Sequence, residues 1–507
     1  MARQHRPHAL RGRPAAPRRP ALPVIWPQHD LLRGPGEHRR AAGHVEQLTW
    51  RWSGPLDTER FTAAWQSVVD RESVLRAALV LGPKPRLVVH DRARAEVAHH
   101  RADTAGFERL LERDRRRGFD LRRPSPLRVT LVDLAGERAG CGPQPVTRVV
   151  LTFPHALLDA WSVHLLLEEF CRAYLAGGTL PGGERRPDLR DWVGWLQRQD
   201  LAPARDFWIR AVPGDPVTVV PARPGPRTRQ RGHGRVEVRL SPAEAARLHR
   251  WAALRSVPES SALQTAWALL LYRAAGHQET AAVGFGVTVS GRGIALDCAE
   301  RLPGPMRNCL PMVVRLDPRQ PLGLLLEALR DRALDMAAYE WVSTALVHHW
   351  TGRTAGGAAG GELMQSAVSV ESTPRPRTDT RAELAGAGVA LEPERAAGAG
   401  PGGLPLALLV HRGTDGSLTC TVVHDRSLVS DGDAHLLADH CARLLRHLPH
   451  TGELATTADV LDVLAGQELP RIAPRRRRPA RTPAGPPAGD PPADGPVTGG
   501  PATGPPP

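Results

Sequence analysis

Phe153-Pro154-His155-Ala156-Leu157-Leu158-Asp159-Ala160-Trp161-Ser162 sets a histidine and a carboxylate four residues apart. A β-branched apolar run, 146–153, precedes the imidazole, and Trp161, Leu165, Leu166 and Phe170 follow at helical spacing. The stretch therefore reads as a strand-to-helix connection, where rigid elements hold a loop that carries chemistry. An imidazole at such a point suits proton transfer or hydrogen-bond donation, since its unperturbed pKa is about 6.5.

Outward from this connection, Phe61, Ala64, Trp65, Val68 and Val69 recur at helical spacing, predicting a helix over 58–70 with Asp57 as its N-cap. Strands are predicted at 129–134 and 146–153, and the helix after the connection ends at Gly177-Gly178. A second cycle follows: helix 261–274, strands 281–289 and 312–316, and helix 322–339. Asp415-Gly416 turns a hairpin between 406–410 and 418–423, and a helix over 434–448 closes the pattern. Helices and strands alternate in both halves, which predicts an α/β protein with a sandwich in each of two lobes. Gly- and Pro-rich stretches at 211–228, 352–361 and 385–404 read as loops, the first as the lobe junction. The expected division is a basic tail at 1–21, lobes at 22–215 and 216–465, and a Pro/Gly/Arg-rich tail at 466–507, with both tails disordered.

At 507 residues the chain can build two large cores. Its net charge of +14 lies mainly in the tails: residues 1–20 carry +6 and residues 466–507 carry +3, leaving +5 for the 445 residues between. Arg475 to Arg478 has no groove-reading motif beside it, so nucleic acid is not the expected partner. Six scattered cysteines, Cys141, Cys171, Cys298, Cys309, Cys420 and Cys441, include no Cys-x-x-Cys pair and read as reduced thiols, with no metal site expected. No apolar run reaches the ~18 residues of a membrane span, and no secretion signal opens the chain, so a cytoplasmic protein is expected.

The ten residues at 153–162 resemble the His-His-x-x-x-Asp-Gly signature of the condensation domains of nonribosomal peptide synthetases, which share the chloramphenicol acetyltransferase fold. His155 matches the second histidine and Asp159 the aspartate, while Pro154 replaces the first histidine and Ala160 the glycine. Further segments resemble the family in order. Arg71-Glu72-Ser73-Val74-Leu75-Arg76 is similar to an early Arg-His-x-x-Leu-Arg motif, with Glu72 in place of histidine. Gly118-Phe119-Asp120-Leu121 resembles the approach to the signature, and Asp191-Trp192-Val193, Trp195 and Phe207-Trp208 resemble an aromatic motif. Thr288-Val289-Ser290-Gly291-Arg292 and Met306-Arg307-Asn308-Cys309-Leu310-Pro311 resemble two later motifs, the second with Asn308 kept and its flanking residues changed, so that about residues 22–465 align in order.

The resemblance implies two chloramphenicol acetyltransferase-like lobes in a V-shaped pseudo-dimer, with a tunnel between them. It implies a free-standing condensation enzyme that joins an acyl or peptidyl thioester on a carrier protein to an amine or alcohol acceptor. No cofactor or metal would be bound, because the phosphopantetheine arm comes with the carrier. His155 is the implied catalytic residue. Asp159 is implied to be structural, and Arg76 is the candidate for the arginine that pairs with it. Pro154, Ala160, Trp161, Ser290, Arg292 and Asn308 are candidates for the substrate channel. Plainer readings stand beside these: Asn308 as a turn residue, Arg292 as an exposed strand-end arginine, Ser162 as a cap, Trp161 and His164 as packing or surface residues, and His155 as a satisfied histidine in a decayed motif. Leu157-Leu158 resembles the signature variant of enzymes that join two L-configured units. Two other functions are compatible with the residues: a coenzyme A-dependent acyltransferase of the same fold, and a catalytically silent domain that recruits partners, which Pro154 and Ala160 favour.

Overall fold

Strand Val45–Ser53 lies between two antiparallel neighbours, Pro145–Pro154 and Ala390–Ala397, and Arg128–Arg138 and then Glu96–Ala102 extend the sheet to five strands. The computed structural model describes residues 21–24 and 45–471, apart from 83, 139–144, 183–185, 213, 215–216, 222–227, 353–362, 372–373, 375–378 and 398–403. A second sheet runs in the order Asn308–Leu316, Ala281–Val289, Ser366–Val370, Leu406–Arg412, Leu418–Asp425, His233–Leu240, with Val217–Val219 beside Ala281–Val289. A small third sheet joins Leu22–Pro23, Arg86–Val89 and Ala77–Val80.

The first sheet is covered by helices Thr58–Arg71 and Ala160–Leu175. Asp57 caps the former by accepting from Arg60 N, and positive φ at Gly177 and Gly178 ends the chain's run after the latter, as the sequence predicts. Their inward faces meet in an aromatic cluster: Trp65 stacks on Phe170 at 4.7 Å and Trp52 meets Tyr174 edge-on at 5.1 Å. Glu259–Ala274 is buried on nearly every side within the second core, which explains why its apolar residues are not confined to one stripe.

Packing does not follow the expected division at 215–216. Helices Leu189–Gln197 and Leu201–Ala211 contribute Trp192, Trp195 and Trp208 to the second core, and Phe207 stacks on Tyr339 at 4.9 Å. Conversely, the stretch read as a loop at 385–404 contains Ala390–Ala397, an edge strand of the first sheet, and Leu384 and Val389 pack in the first core. Pro393 suggested a loop, but an edge strand leaves one side unpaired and tolerates proline, and the register shifts between Pro393 and Arg395. The expected tails lie outside the described residues, apart from Ala21 and 466–471.

The early motif turns inward at Glu72. This carboxyl and that of Glu169 both contact the guanidinium of Arg186, at 2.8 Å for Glu72. Burial first, and then the charge of Glu169, push Glu72 up to about 8 against the pull of Arg186. A carboxyl raised in the folded state makes stability fall as pH rises from its ordinary value towards about 8. Glu72→Gln keeps an acceptor for Arg186 and adds a donor for Glu169. Its melting temperature should exceed wild type by a few degrees at about pH 9, with the gap closing by about pH 5. Thermal melts across that range check this, and a gap that does not narrow on acidification would refute the assignment. Burial also raises the thiols of Cys171, Cys309 and Cys420 to about 12, so these are packing groups, while Cys141 lies outside the described residues.

Candidate active site

The connection between Pro145–Pro154 and Ala160–Leu175 sits where the two cores meet. The carbonyl of Pro154 accepts from Leu157 N at 3.1 Å and Leu158 N at 3.2 Å, closing a turn. Ala156 and Leu157 are buried in the second core and Leu158 in the first. The three apolar residues of the motif thus pin the turn to both cores, and their burial leaves His155 and Asp159 as its polar members.

Asp159 is 0 % exposed and accepts from both sides of the junction. Its Oδ1 takes Ser162 N at 2.8 Å and Ser162 Oγ at 2.6 Å, which caps the helix. Arg292 donates to it bidentately, Nη1 to Oδ2 at 2.8 Å and Nη2 to Oδ1 at 3.0 Å. The backbone N–H groups of Met306 and Arg307 reach Oδ2 at 3.2 and 3.0 Å. Burial alone would raise this carboxyl, but the Arg292 charge and the hydrogen bonds from Arg292 and Ser162 outweigh it and hold the group below the usual carboxylate range. Arg292 also donates to Ser162 Oγ at 3.0 Å and to the carbonyl of Leu302 at 3.2 Å. Beside it, Gly291 has φ +67°, and a Cβ there would stand 1.9 Å from the Met306 carbonyl oxygen, so only glycine allows the two loops to approach.

Arg76 is therefore not the partner of Asp159. Its guanidinium donates to the carbonyls of Val69 at 3.0 Å, His90 at 3.2 Å and Asp70, tying off the end of Thr58–Arg71, where orphan carbonyls favour a cation. Arg292, placed by sequence in the channel or at an exposed strand end, is the clamp. Two neighbours strengthen it: Trp161 Nε1 donates to the carbonyl of Glu300 at 2.7 Å with the Arg292 guanidinium 5.5 Å from its ring, and Ser162 Oγ accepts from Gly304 N at 2.8 Å.

A cavity of about 90 Å³ opens beside the clamp, lined by Ala160, Trp161, His164, Ser290, Arg292, Arg307 and Glu371, among others. Four channel candidates, Ala160, Trp161, Ser290 and Arg292, are thus brought together. Ala160 opens the helix and lines the cavity, and its φ is not positive, so the backbone makes no demand for glycine. Pro154 and Asn308 are not among the lining residues. Asn308 is buried, with Nδ2 donating to the carbonyls of Glu340 at 2.9 Å and Val342 at 2.7 Å, and it anchors that loop to the second sheet.

His155 lies at 18 % side-chain exposure with Nδ1 3.3 Å from Oε1 of Glu46. The distance is that of an ion pair, but the angle is not that of a hydrogen bond, so Nδ1 has no hydrogen-bond partner among the described residues. Glu46 and Leu48 share one face of Val45–Ser53, and Leu48 lines the cavity, which sets His155 and Glu46 along the strand from it.

Three groups in the cavity wall are not among the sequence candidates for the site, His164 having the reading of a packing or surface residue. His164 follows Ala160 by one helical turn, and that i,i+4 spacing was the available signal. Its Nδ1 lies 2.8 Å from the carbonyl of Ala160, which makes Nδ1 the donor and leaves Nε2 the free lone pair, and burial lowers its pKa. Arg307 directly precedes strand Asn308–Leu316, inside the Met306–Pro311 motif, whereas Glu371 directly follows strand Ser366–Val370 and nothing local to it announces a site. Among the described residues, no three His, Cys, Asp or Glu side chains are grouped to hold a metal ion, and no helix is long and apolar enough to cross a membrane.

A family model described as Condensation domain matches residues 38–395. Chondramide synthase cmdD of Chondromyces crocatus is 31 % identical over 328 residues, 61 % of this chain and 8 % of that protein. Bacitracin synthase 3 of Bacillus licheniformis is 26 % identical over 347 residues, 65 % of this chain and 5 % of that protein. The chain therefore spans only a small part of the length of these relatives. Among solved structures, the X-domain from teicoplanin biosynthesis superposes with a TM-score of 0.68 at 21 % identity, covering 88 % of this chain and 98 % of that one. The first condensation domain of the CDA synthetase gives 0.65 at 17 % identity, covering 87 % and 99 %.

Proposed function

The chain belongs to the condensation-domain family, and we propose that it joins an acyl or peptidyl thioester to an amine acceptor at the junction of its two cores, with His155 as the catalytic imidazole. The observation that carries this reading is the Asp159 clamp. Six hydrogen bonds from Ser162, Arg292, Met306 and Arg307 hold the carboxylate that ends the His155 turn, a degree of fixation that positions an imidazole rather than merely burying it. In the reaction the amine nitrogen attacks the thioester carbon, the C–N bond forms, the C–S bond breaks, and the sulfur leaves as a thiolate that takes up a proton. His155 acts on the nitrogen's proton or on the developing oxyanion, with the Glu46 carboxylate 3.3 Å from its Nδ1. The thioester arm is substrate, a phosphopantetheine carried by a partner carrier protein; the amine is the preferred nucleophile and an alcohol the other.

The test is direct. Carrier protein loaded with an acyl-phosphopantetheine thioester is mixed with a panel of amines, with and without the protein, and products are read by mass spectrometry. Protein-dependent amide is expected. Offering the same acyl group on coenzyme A separates this reading from the coenzyme A-dependent alternative, which predicts equal or faster transfer from the free thioester. A recruiting role is the second reading. It draws on Pro154 in place of the first histidine and on the likeness to a teicoplanin X-domain solved in complex with OxyB. Absence of amide from both donors, with a stable complex formed with another biosynthetic protein, would favour it.

A further inference from the structure

Two opposite charges face the cavity without touching one another. Arg307 and Glu371 both line it, yet they do not form an ion pair, and each is tethered from the far side. The Arg307 guanidinium donates to Ser369 Oγ, and Glu371 Oε2 lies 3.2 Å from Nδ1 of His411, a residue on the neighbouring strand Leu406–Arg412. These tethers use one end of each group and leave further N–H donors on Arg307 and the second oxygen of Glu371 without hydrogen-bond partners among the described residues. His164 adds a neutral acceptor from the first core, its Nε2 left free by the bond between Nδ1 and the Ala160 carbonyl. Arg292 lines the same wall but is committed to Asp159. The cavity thus offers one anion, one cation and one lone pair to a ligand, groups that form charge-assisted hydrogen bonds.

We propose that this cavity seats the acceptor as a free α-amino acid, its ammonium against Glu371 and His164 and its carboxylate against Arg307. The assignment rests on the acyl-transfer reading above and names the acceptor's class: a small zwitterion in solution rather than a group tethered through its carboxyl. A ligand with both charges bridges the gap that the side chains leave open, whereas one with a single charge leaves the opposite group desolvated and unpaired. His164 Nε2 then stands as the acceptor for the ammonium proton that must leave before the nitrogen can attack.

Saturation-transfer NMR on the whole protein with three probes tests this: L-alanine, L-alanine methyl ester, which lacks the anion, and L-lactate, which lacks the cation. L-Alanine should bind about tenfold or more tightly than either analogue, as two charge-assisted contacts against one imply. Glu371→Gln and Arg307→Met should each remove that preference. Equal binding of all three probes, no binding of L-alanine, or a preference that both variants retain would overturn the proposal. The three-probe comparison uses unaltered protein, so a variant that fails to fold does not decide it. Transfer assays separate the two readings: L-alanine selected without any amide formed removes the catalytic reading and leaves the cavity assignment, while amide formed from amines with no zwitterion preference does the reverse.

Discussion

Asp159→Ala should destabilise the protein by about 3–5 kcal/mol, the largest loss expected from any single substitution at the site. The carboxylate is fully buried, and its removal leaves the Arg292 guanidinium, 3 % exposed, without a counter-charge and strips acceptors from Ser162, Met306 and Arg307. Arg292→Ala should cost a similar amount for the mirror reason. Because each single variant strands the other partner, the double variant should be far less destabilised than the sum, with a coupling of about 1–3 kcal/mol in a denaturation cycle. Hydrogen exchange should rise together at 160–164 and 302–307 in either single variant, since the clamp joins those segments across the two cores. Acid should mimic the substitution. The Asp159 pKa is depressed in the folded state, so its contribution is present above the ordinary value of 3.8 and is lost as pH falls through the lower folded one. A variant within about 1 kcal/mol of wild type would mean that the clamp is not an energetic keystone.

His155→Ala should leave melting temperature nearly unchanged and reduce amide formation by about 10²–10⁴-fold, the usual loss when a proton-transferring group is removed. The side chain makes no described hydrogen bond and retains some exposure, so its truncation strands no buried partner except Glu46, itself 21 % exposed. Glu46→Gln should show a smaller decrease, because it removes the carboxylate beside Nδ1 of His155 while keeping the shape of the side chain. Full activity in His155→Ala, with folding intact, would remove the imidazole from the mechanism. The contrast with Asp159→Ala matters: one variant should fail in chemistry with its fold intact, the other through its fold.

Much of this protein is legible residue by residue along the chain. The strand, turn and helix around 153–162 follow from a β-branched run and apolar residues at helical spacing after it. The cap at Asp57 and the Asp415-Gly416 hairpin follow from side chains acting within a few residues of themselves, whereas the cap expected at Ser162 is formed by Asp159, which accepts from Ser162 N. Family resemblance added the significance of His155 and Asp159, since no local rule distinguishes a capping aspartate from one that also holds a distant arginine.

What the tertiary structure decided is everything that joins positions far apart. Arg76 and Arg292 are both arginines in recognisable motifs; only packing shows that the first ties off a helix end and that the second, 133 residues after Asp159, fills the carboxylate's remaining lone pairs. The strand Ala390–Ala397 hides in a Gly- and Pro-rich stretch because its order comes from pairing with Val45–Ser53 rather than from its own propensity. The cavity wall likewise gathers His164, Arg307 and Glu371 from three elements on two cores. The physical reason is range. Caps, turns and helical stripes are contests between a residue and its near neighbours, so a sequence determines them by itself, whereas a buried charge takes whichever partner the closing of two cores delivers to it.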